Sequence, residues 1–140
     1  MKVLVDTSVW SLALRRRTPA RERAVETLRA LIEGGRVAMI GVIRQELLSG
    51  IRTRDAFERV RDHLRAFADE PLDTADFERA AEHFNACRVQ GVQGSNADFL
   101  ICAAAERRGF HILTTDEDFT RFASVLPITL INHPPGTFSS

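Results

Sequence analysis

Four short runs of apolar and β-branched residues, at 2–5, 37–40, 112–115 and 128–131, constrain this chain more than any other feature. All are too short for helices, and they lack the strict alternation of a half-exposed strand. Such runs suit strands buried on both faces. The segments between them carry apolar residues at helical spacing. Parallel strands need long crossovers, and helices supply them. The pattern predicts an α/β fold with a mostly parallel sheet covered on both sides.

The connecting helices can be placed from their punctuation. The first runs to Leu14 from Thr7 or Ser8, either of which can cap it. Pro19 opens the second at its favoured N1 position, and Gly34-Gly35 ends it after Val25, Leu28, Leu31 and Ile32. Gly41 introduces a third helix, which breaks near Gly50. From Thr53 to Ala68, the side chains of Phe57, Val60, Leu64 and Phe67 share one face. Thr74 caps a helix whose apolar side is Phe77, Ala80, Ala81 and Phe84. Asn96 caps another, which reaches Arg108 and stops at Gly109. Between Ala97 and Ala105 its sole charge is Asp98, so most of its circumference is buried. A short helical link spans Asp116 to Phe122. Residues 1–132 then form a single domain, and 133–140 a poorly ordered tail.

Composition removes several chemistries. The chain has 140 residues, 44% hydrophobic and 27% charged, which is one ordinary globular domain. Lys2 is the only lysine, and tyrosine is absent. A Walker A phosphate loop and a lysine Schiff base are thereby excluded. Cys87 and Cys102 form no CxxC pair, which predicts two reduced, partly buried thiols. His63 and His83 fall among polar helix residues and are assigned no chemistry. Asp6 interrupts the N-terminal apolar run too early for a signal peptide, and no window approaches the roughly 18 apolar residues of a membrane span. A cytoplasmic protein without membrane contact is expected.

The acids carry the functional signal. Open α/β sheets bind ligands at the carboxyl ends of their strands. Asp6 directly follows the first run, and Asp116 directly follows the third. Glu46 lies in the helix after the second, and Asp98 opens the most apolar helix. Each alone has an ordinary explanation: a helix cap, a dipole complement, a surface glutamate, a solvated turn. Converging on one edge, they create an electrostatic problem. Two carboxylates about 4 Å apart repel by roughly 4 kcal/mol at an effective dielectric near 20. No lysine follows Lys2 to compensate them, whereas a divalent ion would. Oxygen donors select a hard cation such as Mg²⁺ or Mn²⁺, and the usual partners of such sites are phosphates.

The strand ending in Asp6-Thr7-Ser8-Val9-Trp10 resembles the first motif of PIN-domain nucleases, especially the VapC-type toxins of bacterial toxin–antitoxin pairs. Glu46, within Ile43-Arg44-Gln45-Glu46-Leu47, is similar to their second acidic position. Asp98, opening Phe99-Leu100-Ile101-Cys102-Ala103-Ala104, is similar to the third. Thr114-Thr115-Asp116, followed by Asp118-Phe119, is similar to the last. The resemblance covers residues 2 to about 131. It implies a PIN-like three-layer α/β/α sandwich around a sheet of four or five strands. It further implies a metal-dependent endoribonuclease that hydrolyses RNA phosphodiesters with Mg²⁺ or Mn²⁺. Such toxins are usually homodimers, silenced by a small antitoxin whose C-terminal segment enters the active-site groove, and they meet DNA only through it. Carried over by this resemblance, Asp6, Glu46, Asp98 and Asp116 are the metal-binding and catalytic residues. In the expected division of labour, Asp6, Asp98 and Asp116 hold the ion, partly through waters, while Glu46 and a neighbouring acid orient or deprotonate the attacking water. Asp118 either ligates a second ion or only shapes its turn. Ser8 and Thr114 hydrogen-bond an acid or a metal-bound water.

The formal charge is zero, yet it is unevenly spread. Residues 1–65 hold 14 basic and 8 acidic side chains, and residues 66–140 hold 5 basic and 11 acidic. Arg15, Arg16 and Arg17 follow the first motif and are candidates for drawing RNA phosphate towards the acids, with Arg44 and Arg52 next. The same arginines, or the apolar rows of segments 19–33 and 53–69, can instead meet an acidic or apolar antitoxin segment. A haloacid-dehalogenase-type phosphatase would need Asp-x-Asp and a late lysine, and a receiver-like phosphoacceptor the same lysine. This chain has Ser8 and no late lysine. The remaining alternative is a catalytically silent PIN-like binding module.

Overall fold

The computed structural model describes residues 1–15 and 22–131. The expectations for Arg16, Arg17, Pro19 and the tail 133–140 therefore lie outside the described residues. The elements are β1 (Val3–Val5), α1 (Thr7–Leu14), α2 (Arg23–Glu33), β2 (Val37–Ala38), α3 (Gly41–Leu48), α4 (Arg54–Leu64), α5 (Thr74–Val89), α6 (Asn96–Arg108), β3 (His111–Leu113) and α7 (Asp118–Ala123). Among the described residues, no helix is long and apolar enough to cross a membrane.

The sheet order is β2-β1-β3, and both pairings are parallel. Leu4 faces Ala38 on one side and Ile112 on the other. All three residues of β1 are fully buried, as a central parallel strand requires. The chain leaves β1 towards β2 and later returns to β3 on the opposite side. Strand order therefore reverses beside the carboxyl end of β1, where α/β sheets open a crevice.

The expected fourth strand at 128–131 contracts to a single parallel bridge between Ile112 and Leu130. Ile112 N–H donates to Thr129 O and Ile131 N–H donates to Ile112 O, both at 2.9 Å. Pro127 has no N–H to extend this ladder. On the other edge Met39 bridges Asp69, again in parallel. Three full strands with one bridge on each flank make up the mostly parallel sheet, and helices cover it.

Helix α6 packs on β1 and β3 and carries α5 against it. Its residues Phe99 to Ala105 are all buried, which is why charge is excluded from that stretch. Phe99 stacks in a cluster with Phe84 and Phe122. Gly94, just before α6, sits against those rings: a Cβ there would lie 2.6 Å from Phe122. Only glycine fits that approach.

Several caps fall one residue from their expected positions. Asp73, not Thr74, caps α5, and Ser95, not Asn96, caps α6; each forms a capping box with the acid three residues on. Asp6 rather than Thr7 or Ser8 occupies the N-cap of α1. Helix α4 ends at Leu64 instead of Ala68 because Arg44 takes up the chain beyond it. Its guanidinium donates to Leu64 O, Phe67 O and the Asp69 carboxylate. Arg44 is thus a structural clamp, not a free cation for RNA.

The inward face of α5 is rotated from the apolar side expected. Asp76, Ala80, His83 and Cys87 are buried, while Phe77 is 55% exposed. Polar groups turn inward because α6 supplies their partners. Asp76 accepts from Arg107 at 2.8 Å and from both terminal nitrogens of Arg108 at 2.7 and 2.9 Å. His83 Nε2 lies 2.7 Å from Glu106, which Arg79 clamps through two nitrogens. Hydrogen bonds from Arg108, above all, hold the Asp76 carboxyl well below the usual carboxylate range. A lowered acid stabilises the fold above its unfolded value of about 4 and loses that contribution as pH falls. Asp76→Asn is therefore expected to cost about 2–3 kcal/mol at pH 7 in urea unfolding, with the difference from wild type shrinking below pH ~4.

Candidate active site

Asp6 extends the β1 ladder by one residue, its N–H donating to Leu113 O at 2.9 Å. Its backbone carbonyl then accepts from Val9 and Trp10 to begin α1. Its side chain makes no capping bond to that helix. The carboxylate is left for the crevice, although only 5% of the residue is exposed.

Two hydroxyls converge on it. Ser8 Oγ and Thr114 Oγ1 each donate to Asp6 Oδ2 at 2.8 Å. The network continues through the backbone after β3. Thr115 N–H donates to Ser8 Oγ at 3.1 Å, and Asp116 N–H donates to Thr114 Oγ1 at 3.0 Å. Asp118 N–H donates to Asp116 Oδ1 at 2.9 Å, so Asp116 closes a turn that directs its own carboxylate. Asp118 in turn pairs with Arg121. Asp6, Ser8, Thr114, Asp116 and Asp118 therefore form one connected network across the ends of β1 and β3.

Glu46 reaches the same edge from α3. It is an exposed residue, and Thr7 Oγ1 donates to its Oε1 at 2.6 Å. The motif that contains Thr7 gives it no role at the site. The one signal for it is its place between Asp6 and Ser8, a hydroxyl at the first position of α1.

Asp98 has a structural task as well. Its Oδ2 accepts from Ser95 N–H at 3.0 Å, completing the capping box of α6. The Cys102 thiol, one turn along α6, is driven far upward by burial, and the charges of Asp98 and Asp6 add to that shift. Cys87 is likewise buried, and both cysteines are free thiols. Arg15 is exposed at the end of α1.

Among the described residues, no three of these acids stand in a ready-made ligand cluster. No described arginine or lysine forms an ion pair with Asp6, Glu46, Asp98 or Asp116. The donors are all oxygen and all anionic, which fits a hard divalent cation and no softer metal. Asp6 carries the clearest sign of unmet charge. Burial pushes its carboxyl above the ordinary value, and the hydroxyls of Thr114 and Ser8 offset only part of that. A raised acid costs stability once pH exceeds its unfolded value of about 4, and the cost is complete above its folded value. In metal-free buffer, Asp6→Asn is expected to melt above wild type at pH 7, the two curves converging near pH 4.

The family model of the PIN domain matches residues 3–125. Ribonuclease VapC11 of Mycobacterium tuberculosis is 36% identical over 129 residues, covering 88% of this chain and 92% of that protein. Among solved structures, VapBC2 of Rickettsia felis, bound to a DNA fragment from its promoter, superposes with a TM-score of 0.77 at 16% identity, over 95% of this chain and 99% of that one. FitAcB of Neisseria gonorrhoeae superposes with a TM-score of 0.74 at 23% identity, over 93% and 96% of the two chains. The structural likeness bears on the fold, and the sequence match extends to the family. The chain belongs to the PIN-domain family and groups there with the VapC ribonucleases.

Proposed function

We propose that this protein is a metal-dependent endoribonuclease and the toxin of a toxin–antitoxin pair. The observation that carries the reading is the hydrogen-bonded network that joins Asp6 to Asp116 at the reversal of strand order, with Glu46 bonded to Thr7 beside it. A close relative named a ribonuclease supports the substrate class.

Asp6, Asp98 and Asp116 would hold Mg²⁺ or Mn²⁺, and Asp118 is a candidate further ligand. When bound, such an ion supplies charge neutralisation at the scissile phosphate and a more acidic water. The chain's own residues do the positioning. Ser8 and Thr114 fix the Asp6 carboxylate by both donating to its Oδ2. The Asp118 N–H orients Asp116 in the same way. Glu46 accepts the proton of the attacking water at the carboxylate oxygen not bonded to Thr7. Arg15, exposed beside the first motif, draws the RNA phosphate in, together with Arg16 and Arg17.

An apolar groove is the surface we assign to the antitoxin. Helices α1, α2 and α4 enclose an apolar groove of about 560 Å³ lined by Trp10, Leu14, Leu28, Ile32, Val60 and Phe67, with Arg59 and His63 at its rim. Among the described residues, the Trp10 indole N–H in its wall is buried without an acceptor. An amphipathic antitoxin helix with an acidic edge suits this groove. The exposed Phe77 and Val89 on α5 offer apolar surface for a homodimer contact. DNA is met only through the antitoxin, and two buried free thiols are in keeping with a cytoplasmic setting.

Cleavage mapping across total RNA tests the activity. Wild type with Mn²⁺ is expected to cut at discrete sites, and Asp98→Asn or Asp116→Asn to lose at least about a hundredfold in rate. Wild-type rates in either variant would exclude these assignments. For the groove, Ile32→Glu is the informative change because Ile32 is already 41% exposed. Co-expressed with its cognate antitoxin, wild type should be silenced, while Ile32→Glu should stay toxic and cut RNA normally.

A further inference from the structure

Thr7 and Ser8 are adjacent hydroxyls at the start of α1, and they face different acids. Successive helical residues project about 100° apart. Ser8 therefore turns to Asp6 and Thr114, while Thr7 turns to α3 and meets Glu46 at 2.6 Å. That separation gives each hydroxyl one carboxylate to serve.

Glu46 needs such a partner more than the other acids do. Asp6 is buried, Asp98 is tied into a capping box, and Asp116 is tied into its turn. Glu46 is exposed and has three rotatable side-chain bonds. The burial of α3 rests on Ile43 and Leu47, which leaves the Glu46 carboxylate unpacked. Among the described residues, Thr7 is its one side-chain hydrogen-bond partner. Threonine is suited to the task because its β-branch restricts χ1 and aims the hydroxyl.

We propose that Thr7 is a positioning residue whose hydroxyl fixes the Glu46 carboxylate beside Asp6. The inference rests on the ribonuclease reading above and adds a residue to it. Thr7 touches neither RNA nor the reacting atoms. It acts by holding Glu46 in one orientation, so that the free carboxylate oxygen points at the crevice.

Steady-state cleavage of a defined RNA oligonucleotide with Mn²⁺ tests this in wild type, Thr7→Val, Thr7→Ser, Glu46→Gln and the Thr7→Val/Glu46→Gln double variant. Thr7→Val should lose about 10–100-fold in kcat with KM within twofold, and Thr7→Ser should recover most of it. The double variant should be no slower than Glu46→Gln alone, because Thr7 works only through Glu46. Three-bond NMR couplings give a readout free of turnover. Glu46 should keep one χ1 rotamer in wild type and Thr7→Ser and average over several in Thr7→Val. If Thr7→Val does not fold, as judged by the fluorescence of Trp10, Thr7→Ala takes its place in every arm. A Thr7→Val enzyme with wild-type kcat, or an unchanged Glu46 rotamer in it, overturns the inference while leaving the ribonuclease reading intact. Glu46→Gln as fast as wild type overturns the role of Glu46 itself. A wild type that cuts no RNA overturns the function on which both stand.

Discussion

Asp6 is a carboxylate that the fold buries at the end of its central strand and then surrounds with hydroxyls. Burial raises the free energy of its charged form, and the bonds from Ser8 and Thr114 return only part of that. Most of the local design answers this one problem. The strand order β2-β1-β3 opens the crevice beside β1. The backbone, not the side chain, of Asp6 starts α1. The turn after β3 brings Thr114 and Asp116 into the same network. A carboxylate held at that cost would gain from a neighbouring cation.

Opposing faces of α5 and α6 solve a related problem differently. Buried Asp76 meets Arg107 and Arg108, and Glu106 meets Arg79 and His83. These charges are internally compensated, so that region holds its helices together without needing a ligand. The acids at the strand ends have no such arginines among the described residues. Two kinds of acid are thus distinguished by their neighbours. One kind is neutralised by the fold, and the other is left for something that arrives later.

Much of this was legible in the chain itself. The short apolar runs located β1, β2 and β3 because the buried stretches of these strands, Val3–Val5 and Ile112-Leu113 among them, exclude polar side chains. The strand-end acids were legible because Asp6 and Asp116 follow those runs directly. Other features depend on partners that are remote in sequence. The inward turn of Asp76 and His83 requires Arg108 and Glu106, and periodicity alone assigns that face to Phe77. The early end of α4 requires Arg44 from α3. Thr7 is invisible as a partner of Glu46 until α1 and α3 are side by side. Caps missed by one residue reflect the ease with which Asp73-Thr74 and Ser95-Asn96 each offer two plausible capping side chains.

The central claim is that the acids gathered at the strand ends share one divalent cation. Calorimetric titration of Mn²⁺ into metal-free wild type and Asp116→Asn tests it most directly. The account predicts saturable binding to wild type and at least tenfold weaker binding to the variant, with both proteins equally folded. Equal affinities, or no binding to wild type, would contradict it.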